Sequence, residues 1–394
     1  MPEVPYMQNA EFQITGFPAS GQGGSDVMLL IGKSDIEQDL NEIYEFYSWT
    51  DAQNVLGPIS PTNDVLNGCY NAFLEGSKYQ TYQSPTISKI YAIAMGQDPT
   101  RGDYETAASN SEIKADVDLE VYLQNYDVQN YTAHMVSMAA RLESLEDNNM
   151  YREALFTLDP TLDVADKVAF TDPTEQTFIQ DSRVNIHENE AMQAKYASEI
   201  VTTPYYIEPS GTPYRTAKPA DINQYKMSDM NSLIEAGIVC DYLTPAINQS
   251  VVGTVSPVVS VNTAHCMDAT GTRGLDTYTQ VRRNVDYQWH QTDLIAEGEV
   301  KSNNTELALE SLINSITSFF NAQVTLGSIY PQTAIPADNG YYVDAIPDSD
   351  NENLIHVLRG IRPTPAIYFI DIQSDIYGPA AQAISAARQA QWGT

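Results

Sequence analysis

A strand that is apolar along its whole length can be satisfied only between two covering layers, and this chain places such segments near both ends. Val27, Met28, Leu29, Leu30 and Ile31 form an unbroken hydrophobic strand that ends in Gly32. Ile87 to Met95 reads as a buried strand, and between the two Val65, Leu66, Cys69, Tyr70, Phe73 and Leu74 fall on one helical face that Gly76 can stop. This strand, helix, strand order predicts an α/β unit. Near the far end Ile367, Phe369 and Asp371 alternate with Tyr368, Ile370 and Ile372, so one side is wholly apolar and the other nearly so. That segment also suits a strand covered on both faces.

Between these ends the pattern divides into regions. Residues 1–25, with Pro2, Pro5, Pro18 and four glycines by Gly24, read as an extended N-terminal arm. Residues 26–220 form an outer α/β region, in which 100–180 is acidic and mainly helical, with Met135, Met138, Ala139, Leu142 and Leu145 at helical spacing. A proline-punctuated tract from Pro204 to Pro219 leads into a mixed-sheet C-terminal core at 221–376. There Ser228 can cap a short helix with Met230, Leu233 and Ile234 as its apolar stripe, and Gly237 can supply a left-handed stop before a strand. A second helix is expected from about Thr305 to Asn321, with Asn303 and Glu306 at capping-box separation and Leu309, Leu312, Ile313, Ile316 and Phe320 buried. The alanine-rich 377–394 is a C-terminal arm or helix. The fold class expected is mixed α/β with several domains.

The order of these elements resembles that of contractile tail sheath proteins, from tailed viruses and related injection machines. The resemblance is carried by the helix and strand at Met227–Val239, by Val281-Arg282-Arg283-Asn284-Val285-Asp286-Tyr287-Gln288-Trp289, by the following helix, by Leu326-Gly327-Ser328-Ile329, and by Ile361 to Ile372. Upstream it continues through the strand ending in Gly32 and through Trp49, Ala52 and Val55 before Leu56-Gly57. Residues 100–220 match least.

Charge sets the setting. The chain has 394 residues, 52 acidic against 20 basic, only nine of them lysine, for a net charge of −32. Hydrophobic content of 42% is enough for a folded core, so this is no disordered acidic tail. Unscreened, such a surface repels itself, whereas at about 1 M salt the Debye length falls to about 3 Å. The acids are spread from Glu3 to Asp375, which favours adaptation to a hypersaline medium, such as that of a haloarchaeal virus, over an acidic face meeting one basic partner. Nucleic acid and anionic membranes are disfavoured partners on either reading. Cys69, Cys240 and Cys266 form no complete disulfide framework, and buried free thiols are expected. Met1-Pro2-Glu3-Val4-Pro5 lacks a basic and an apolar leader region, and no apolar run reaches membrane-spanning length, so a soluble product made in the cytoplasm is expected.

No chemical motif is complete. Gly32-Lys33-Ser34 suggests a phosphate loop, but Val27 stands where the first glycine is required, which leaves Lys33 a solvated turn residue. His187-Glu188-Asn189-Glu190 begins like a zinc-protease helix, yet Ala191 replaces the second histidine, and solvated polar residues are the expectation. His265-Cys266 with Cys240 lacks the spacing of a zinc site, and no Gly-x-Ser-x-Gly elbow occurs. The chain is therefore read as no enzyme, with no catalytic, cofactor-binding or metal residues. Tyr287 and Trp289 are expected core anchors.

The sheath resemblance implies more. It implies a subunit that stacks in hexameric rings around a tail tube, contacts baseplate and tail terminator proteins, and contracts without cofactor or fuel to drive the tube through a host envelope. It implies terminal arms that add strands to neighbouring subunits, here involving Val4, Tyr6, Phe12, Ile14 and Phe17 at one end and Ile367, Phe369, Asp371, Gly378 and Pro379 at the other. It implies that Arg282 or Arg283 makes structural ion pairs in the core. The product would sit in the virion tail after assembly in the host cytoplasm. Two alternatives stay open: another virion component, such as a tube, terminator or capsid protein, or a halophilic surface-layer or adhesion protein.

Overall fold

The computed structural model of the chain describes residues 27–36, 42–75, 87–123, 131–146, 148, 150–170, 183–205, 207, 214, 217–218, 220–244, 258–262, 279–299, 306–331, 338–347 and 355–364. Its elements run β1 (Val27–Lys33), β2 (Tyr44–Phe46), α1 (Trp49–Leu56), α2 (Asp64–Glu75), β3 (Lys89–Met95), α3 (Arg101–Asn110), β4 (Leu119–Tyr122), α4 (Tyr131–Glu146), β5 (Glu153–Thr157) and α5 (Val164–Phe170). They continue as β6 (Val184–His187), α6 (Glu190–Thr202), α7 (Met227–Glu235), β7 (Ile238–Thr244), β8 (Val258–Asn262), α8 (Thr279–Glu299), α9 (Glu306–Leu326), β9 (Tyr341–Pro347) and β10 (Ile355–Ile361). The fold is mixed α/β, as the pattern of strands and helices predicts.

Eight strands form one sheet in the order β2-β3-β1-β4-β5-β6-β7-β8. The six inner strands are parallel, with Leu29 of β1 level with Tyr91 of β3 and Glu120 of β4, while β2 and β8 close the edges antiparallel. Residues of β1 point alternately into two cores. Leu29 and Ile31 pack with Tyr104 of α3, Met135 and Leu142 of α4 and Leu233 and Ile234 of α7. Met28 and Leu30 pack with Val65, Leu66 and Cys69 of α2 and Tyr196 and Ile200 of α6. Both sides of the strand are therefore dry, which is why its sequence shows no polar alternation.

Local chemistry fixes the helix ends. Ser48 accepts from the Asp51 N–H to start α1, and Gly57, at φ 86°, closes it with a bond to the Gln53 carbonyl. Thr100 and Asp103 form a reciprocal capping box on α3. Gly237 adopts φ 80°, the left-handed stop read in the sequence. Ser228 does not cap α7: the helix begins at Met227 after Lys226, with no side-chain cap, and Ser228 lies inside its first turn.

The inward face of α2 also differs from expectation. Tyr70 and Leu74 are more than a third exposed, whereas Gly68 and Ala72 are buried beside Val65 and Cys69. Small residues let α2 approach closely, so that Ser198 of α6 donates to the Ala72 carbonyl at 3.0 Å. The stretch 100–180 is not only helical, since it holds the central strands β4 and β5. At four and five residues these were too short to register, and β4 carries Glu120 in its middle.

The sheet runs on across residues 220 and 221, where the sequence reading divides an outer region from a core, because Ile186 and His187 of β6 pair with Ile238 and Val239 of β7. Beyond it α8, α9 and the antiparallel hairpin β9–β10 build a separate small core from Leu312, Ile316, Phe320, Ile329 and Ala345. Helix α9 extends to Leu326, past the expected Asn321, and Gly327 at φ 87° follows it. The regions 1–25 and 377–394 lie outside the described residues, as do Val4, Tyr6, Phe12, Ile14, Phe17, Ile367, Phe369, Asp371, Gly378, Pro379, His265 and Cys266.

Candidate functional site

In open parallel sheets, ligands settle at the carboxyl ends of the strands, where the strand order reverses. Here that point lies beside β1, between β3 and β4. Leu123, just past β4, donates its N–H to the Ile31 carbonyl at 2.9 Å, and Ser34 donates to Met95 at 2.8 Å. A Cβ built on Gly32 would stand 2.9 Å from the Leu123 Cβ, and one on Gly68 would stand 2.9 Å from the Leu123 Cδ1. The crevice is thus filled by a leucine, and these two amides serve neighbouring strands rather than a phosphate. Lys33 is the last residue of β1.

At the same edge, His187, Glu188 and Asn189 are buried rather than solvated, which corrects the sequence expectation. They lie where β6 passes into α6, enclosed between the helix layers, and Asn189 caps α6 through the Ala191 N–H. His187 Nδ1 accepts from the Asn189 N–H at 3.0 Å, which leaves Nε2 facing Asp241 of β7 at 3.5 Å. Asp241 accepts from Tyr214 at 2.9 Å. Glu188 accepts from Lys167 at 3.1 Å, Asn223 at 2.8 Å and Tyr225 at 2.7 Å. Beside them burial pushes the Cys240 thiol well up, as it does that of Cys69 on α2. Among the described residues no group of three His, Cys, Asp or Glu could hold a metal ion, and no helix is long and apolar enough to cross a membrane.

A second closed cluster went unread in the sequence. Glu120 of β4 is fully buried and accepts from Arg141 at 2.8 Å, Arg152 at 2.8 Å and Tyr122 at 2.7 Å. Burial opposes its charge, yet the two guanidiniums hold the carboxyl at about 2. Nothing in the linear sequence pairs position 120 with 141 and 152.

A third polar assembly fastens the C-terminal unit to the amino-terminal edge of the sheet. Arg282, near the start of α8, pairs with Glu146 at the end of α4 at 2.8 Å and with Asp286 one turn on at 2.7 Å. Arg283 donates to the carbonyl of Thr203, which caps the C-terminus of α6, at 2.9 Å. Arg359 of β10 lies 4.7 Å from the Trp289 ring centroid and pairs with Asp293 at 2.5 Å, while Tyr151 donates to the same Asp293 at 2.7 Å. Tyr205 stacks on Tyr287 with centroids 3.7 Å apart and donates to Gln323 at 2.6 Å. Gln288 in turn donates towards Asn284, Gln323 and Ser328, so α8, α9 and the segment after α6 share one amide and hydroxyl network. Such a fully enclosed network fixes one geometry between the two units. Asn284 and Gln288, four apart on a helix, were the sequence signal for it.

No family model matches the sequence, and a search of curated proteins finds no match. Solved structures do match along nearly the whole chain. A chain from the anti-feeding prophage baseplate is similar at TM-score 0.66 and 13% identity, over 96% of this chain and 100% of that one. A chain of the anti-feeding prophage helical sheath in its contracted state gives 0.63 and 12%, over 95% and 99%. The sheath tail protein from Listeria innocua gives 0.54 and 9%, over 87% and 96%. The chain therefore has the fold of sheath proteins from contractile injection systems.

Proposed function

We propose that this protein is the structural subunit of a contractile tail sheath, polymerising with copies of itself as stacked hexameric rings around a tail tube. The observation that carries this reading is the extent of the likeness: a contracted-state sheath chain is matched over 95% of this chain and 99% of its own, so the likeness takes in both the sandwich of sheet and helix layers and the C-terminal unit. Contraction then needs no catalytic group or cofactor. Free energy stored in an extended lattice is released as subunits turn nearly rigidly into a shorter, wider one, and the ion pairs and amide network around α8 supply that rigidity. Baseplate and terminator proteins would bound the polymer, in a virion tail assembled in the host cytoplasm.

The β9–β10 hairpin supports a linking role. It is a two-stranded sheet among the described residues, and its outward side exposes Tyr342, Ile346 and Leu358. Two strands alone are marginal in water, and added strands would complete the sheet. The arms around Val4 to Phe17 and Ile367 to Pro379 are proposed to supply those strands to neighbouring subunits. The charge of −32 supports an origin in a hypersaline setting, such as a haloarchaeal virus.

Negative-stain microscopy of the purified full chain at molar NaCl tests the reading, with hollow tubes of regular diameter expected. Deleting Pro2 to Gly24 should leave the circular dichroism spectrum intact and abolish long tubes. Dispersed monomers from the full chain, or normal tubes from the truncated one, would overturn the sheath role or the arm's part in it respectively.

A further inference from the structure

Helix α8 crosses the amino-terminal edge of the sheet over a set of three carboxyls and three arginines, of which Glu153 and Asp286 are buried and the others half-buried. Glu153, the first residue of β5, is fully enclosed. Its Oε2 accepts from the side-chain amide of Asn185 on β6 at 2.8 Å, and its Oε1 has no hydrogen-bond partner among the described residues. Asp286, Arg282 and Arg283 face it from α8. Glu146 at the end of α4 and Arg183 ahead of β6 complete the surroundings of Asp286. Arg183 is paired with Glu146 at 2.6 Å and Arg282 with Glu146 and Asp286, while Arg283 donates to the neutral Thr203 carbonyl and its charge offsets part of the cost of ionising Glu153 without an ion pair to it. The group bonded to Glu153 is thus a neutral amide, and the nearest element across from it carries a carboxyl of like charge.

We propose that this joint is a proton-dependent latch: Glu153 keeps its proton while α8 is docked, and loss of that proton to solvent sets two carboxylates against each other and frees α8 from the sheet edge. A buried carboxylate without a cation of its own is costly, whereas the protonated form is neutral and can still accept from Asn185. Burial first, and the Asp286 charge second, push the Glu153 carboxyl up to about 8. Burial likewise pushes Asp286 up to about 6, so at neutral pH Asp286 is mostly ionised opposite Arg282 while Glu153 is mostly protonated. A carboxyl raised in the folded state contributes docking stability that is complete below its ordinary value of 4.5 and is lost as pH rises through about 8. The latch is a property of the single chain and holds whether or not the chain polymerises.

Amide hydrogen exchange of the full-length protein in molar NaCl, corrected for intrinsic rates, reads it out. Between pH 6 and 8 the protection of α8 should fall up to about tenfold per pH unit relative to β1 and β3, because each opening releases one proton. Glu153→Gln should make α8 protection nearly independent of pH over that range. If that variant fails to fold, Asp286→Asn substitutes for it: with the repelling charge gone, the decline should level off at a lower pH than in the wild type. Flat α8 protection in the wild type, an unchanged slope in Glu153→Gln, or an unchanged profile in Asp286→Asn would each overturn the latch.

Discussion

The side chain of Leu123 occupies the space that a side chain on Gly32 would need, with their Cβ positions only 2.9 Å apart. Gly32→Ala should therefore destabilise the protein by about 1–3 kcal/mol through overpacking. Leu123→Gly, which removes the Cβ as well as the rest of the side chain, should cost at least the about 2–5 kcal/mol of a leucine-to-alanine cavity. The double variant should fall short of the sum, because only loss of the Leu123 Cβ makes room for the new methyl on residue 32. Urea unfolding of the four proteins at fixed salt measures this coupling, and strict additivity would show that the two residues do not share the space.

Arg282 joins α8 to the end of α4, so Arg282→Ala leaves Asp286 without its ion-pair partner and Glu146 with Arg183 alone. Removing one partner of a buried pair costs about 3–5 kcal/mol, and screening at the partly exposed Glu146 reduces the expectation to about 2 kcal/mol. Arg282→Ala combined with Glu146→Gln should recover part of the loss. A double-mutant cycle in urea decides it, and a coupling near zero would reduce the pair to a surface contact.

Acid should weaken the packing around α4 and β4 in two stages, against the docking stability that α8 gains as Glu153 takes up its proton. His134 of α4 is enclosed by Tyr104, Tyr122 and Phe156, and neither ring nitrogen has a hydrogen-bond partner among the described residues. Burial holds its pKa down to about 4 against an ordinary 6.5, so the neutral ring is stable above pH 6.5 and stability is lost as pH falls from there to about 4. The loss amounts to about 3 kcal/mol. Glu120 acts later, its ionised form contributing fully above its ordinary 4.5 and losing that contribution as pH falls through about 2. In thermal melts from pH 7 to 3, the melting temperature of the wild type should drop relative to that of His134→Phe between pH 6.5 and 4, the difference isolating the first stage. Equal slopes in both proteins between pH 6.5 and 4 would exclude His134 as the cause.

Salt should matter throughout. With a net charge of −32, the melting temperature should fall when NaCl is diluted from about 1 M to 0.1 M, where the Debye length grows to about 10 Å. Potassium chloride should protect equally well, since the effect is screening. An unchanged melting temperature would remove the case for a hypersaline setting.

What the sequence made legible were features that repeat or sit at fixed offsets. The run Val27–Ile31, the Gly57 and Gly237 stops and the buried face of α9 each leave a local trace. The carboxyl-edge cluster did not, because His187, Glu188 and Asn189 look as polar as any loop until the sheet and helices enclose them. Strand β4 was hidden for the same reason, since Glu120 is compatible with a buried strand only once Arg141 and Arg152 arrive from 21 and 32 positions away. Arg282 stood out through the scarcity of basic pairs, but its partner Glu146 lies 136 positions upstream. Long-range pairing of charges is a property of the folded chain, and one-dimensional spacing carries no record of it.

The strand order has a temporal side. Met28 of β1 can pair with Leu119 of β4 only after 91 further positions have been made, while Tyr341 and Ile361 of the hairpin are 20 apart. Distant parallel pairings close slowly and local hairpins quickly, so the hairpin should be formed while the sandwich that anchors α8 is still the rate-limiting partner. If the chain binds its own copies as proposed, the slow step would then act as a clock: the surface offered to neighbours would be held in its working orientation only once the sandwich is complete.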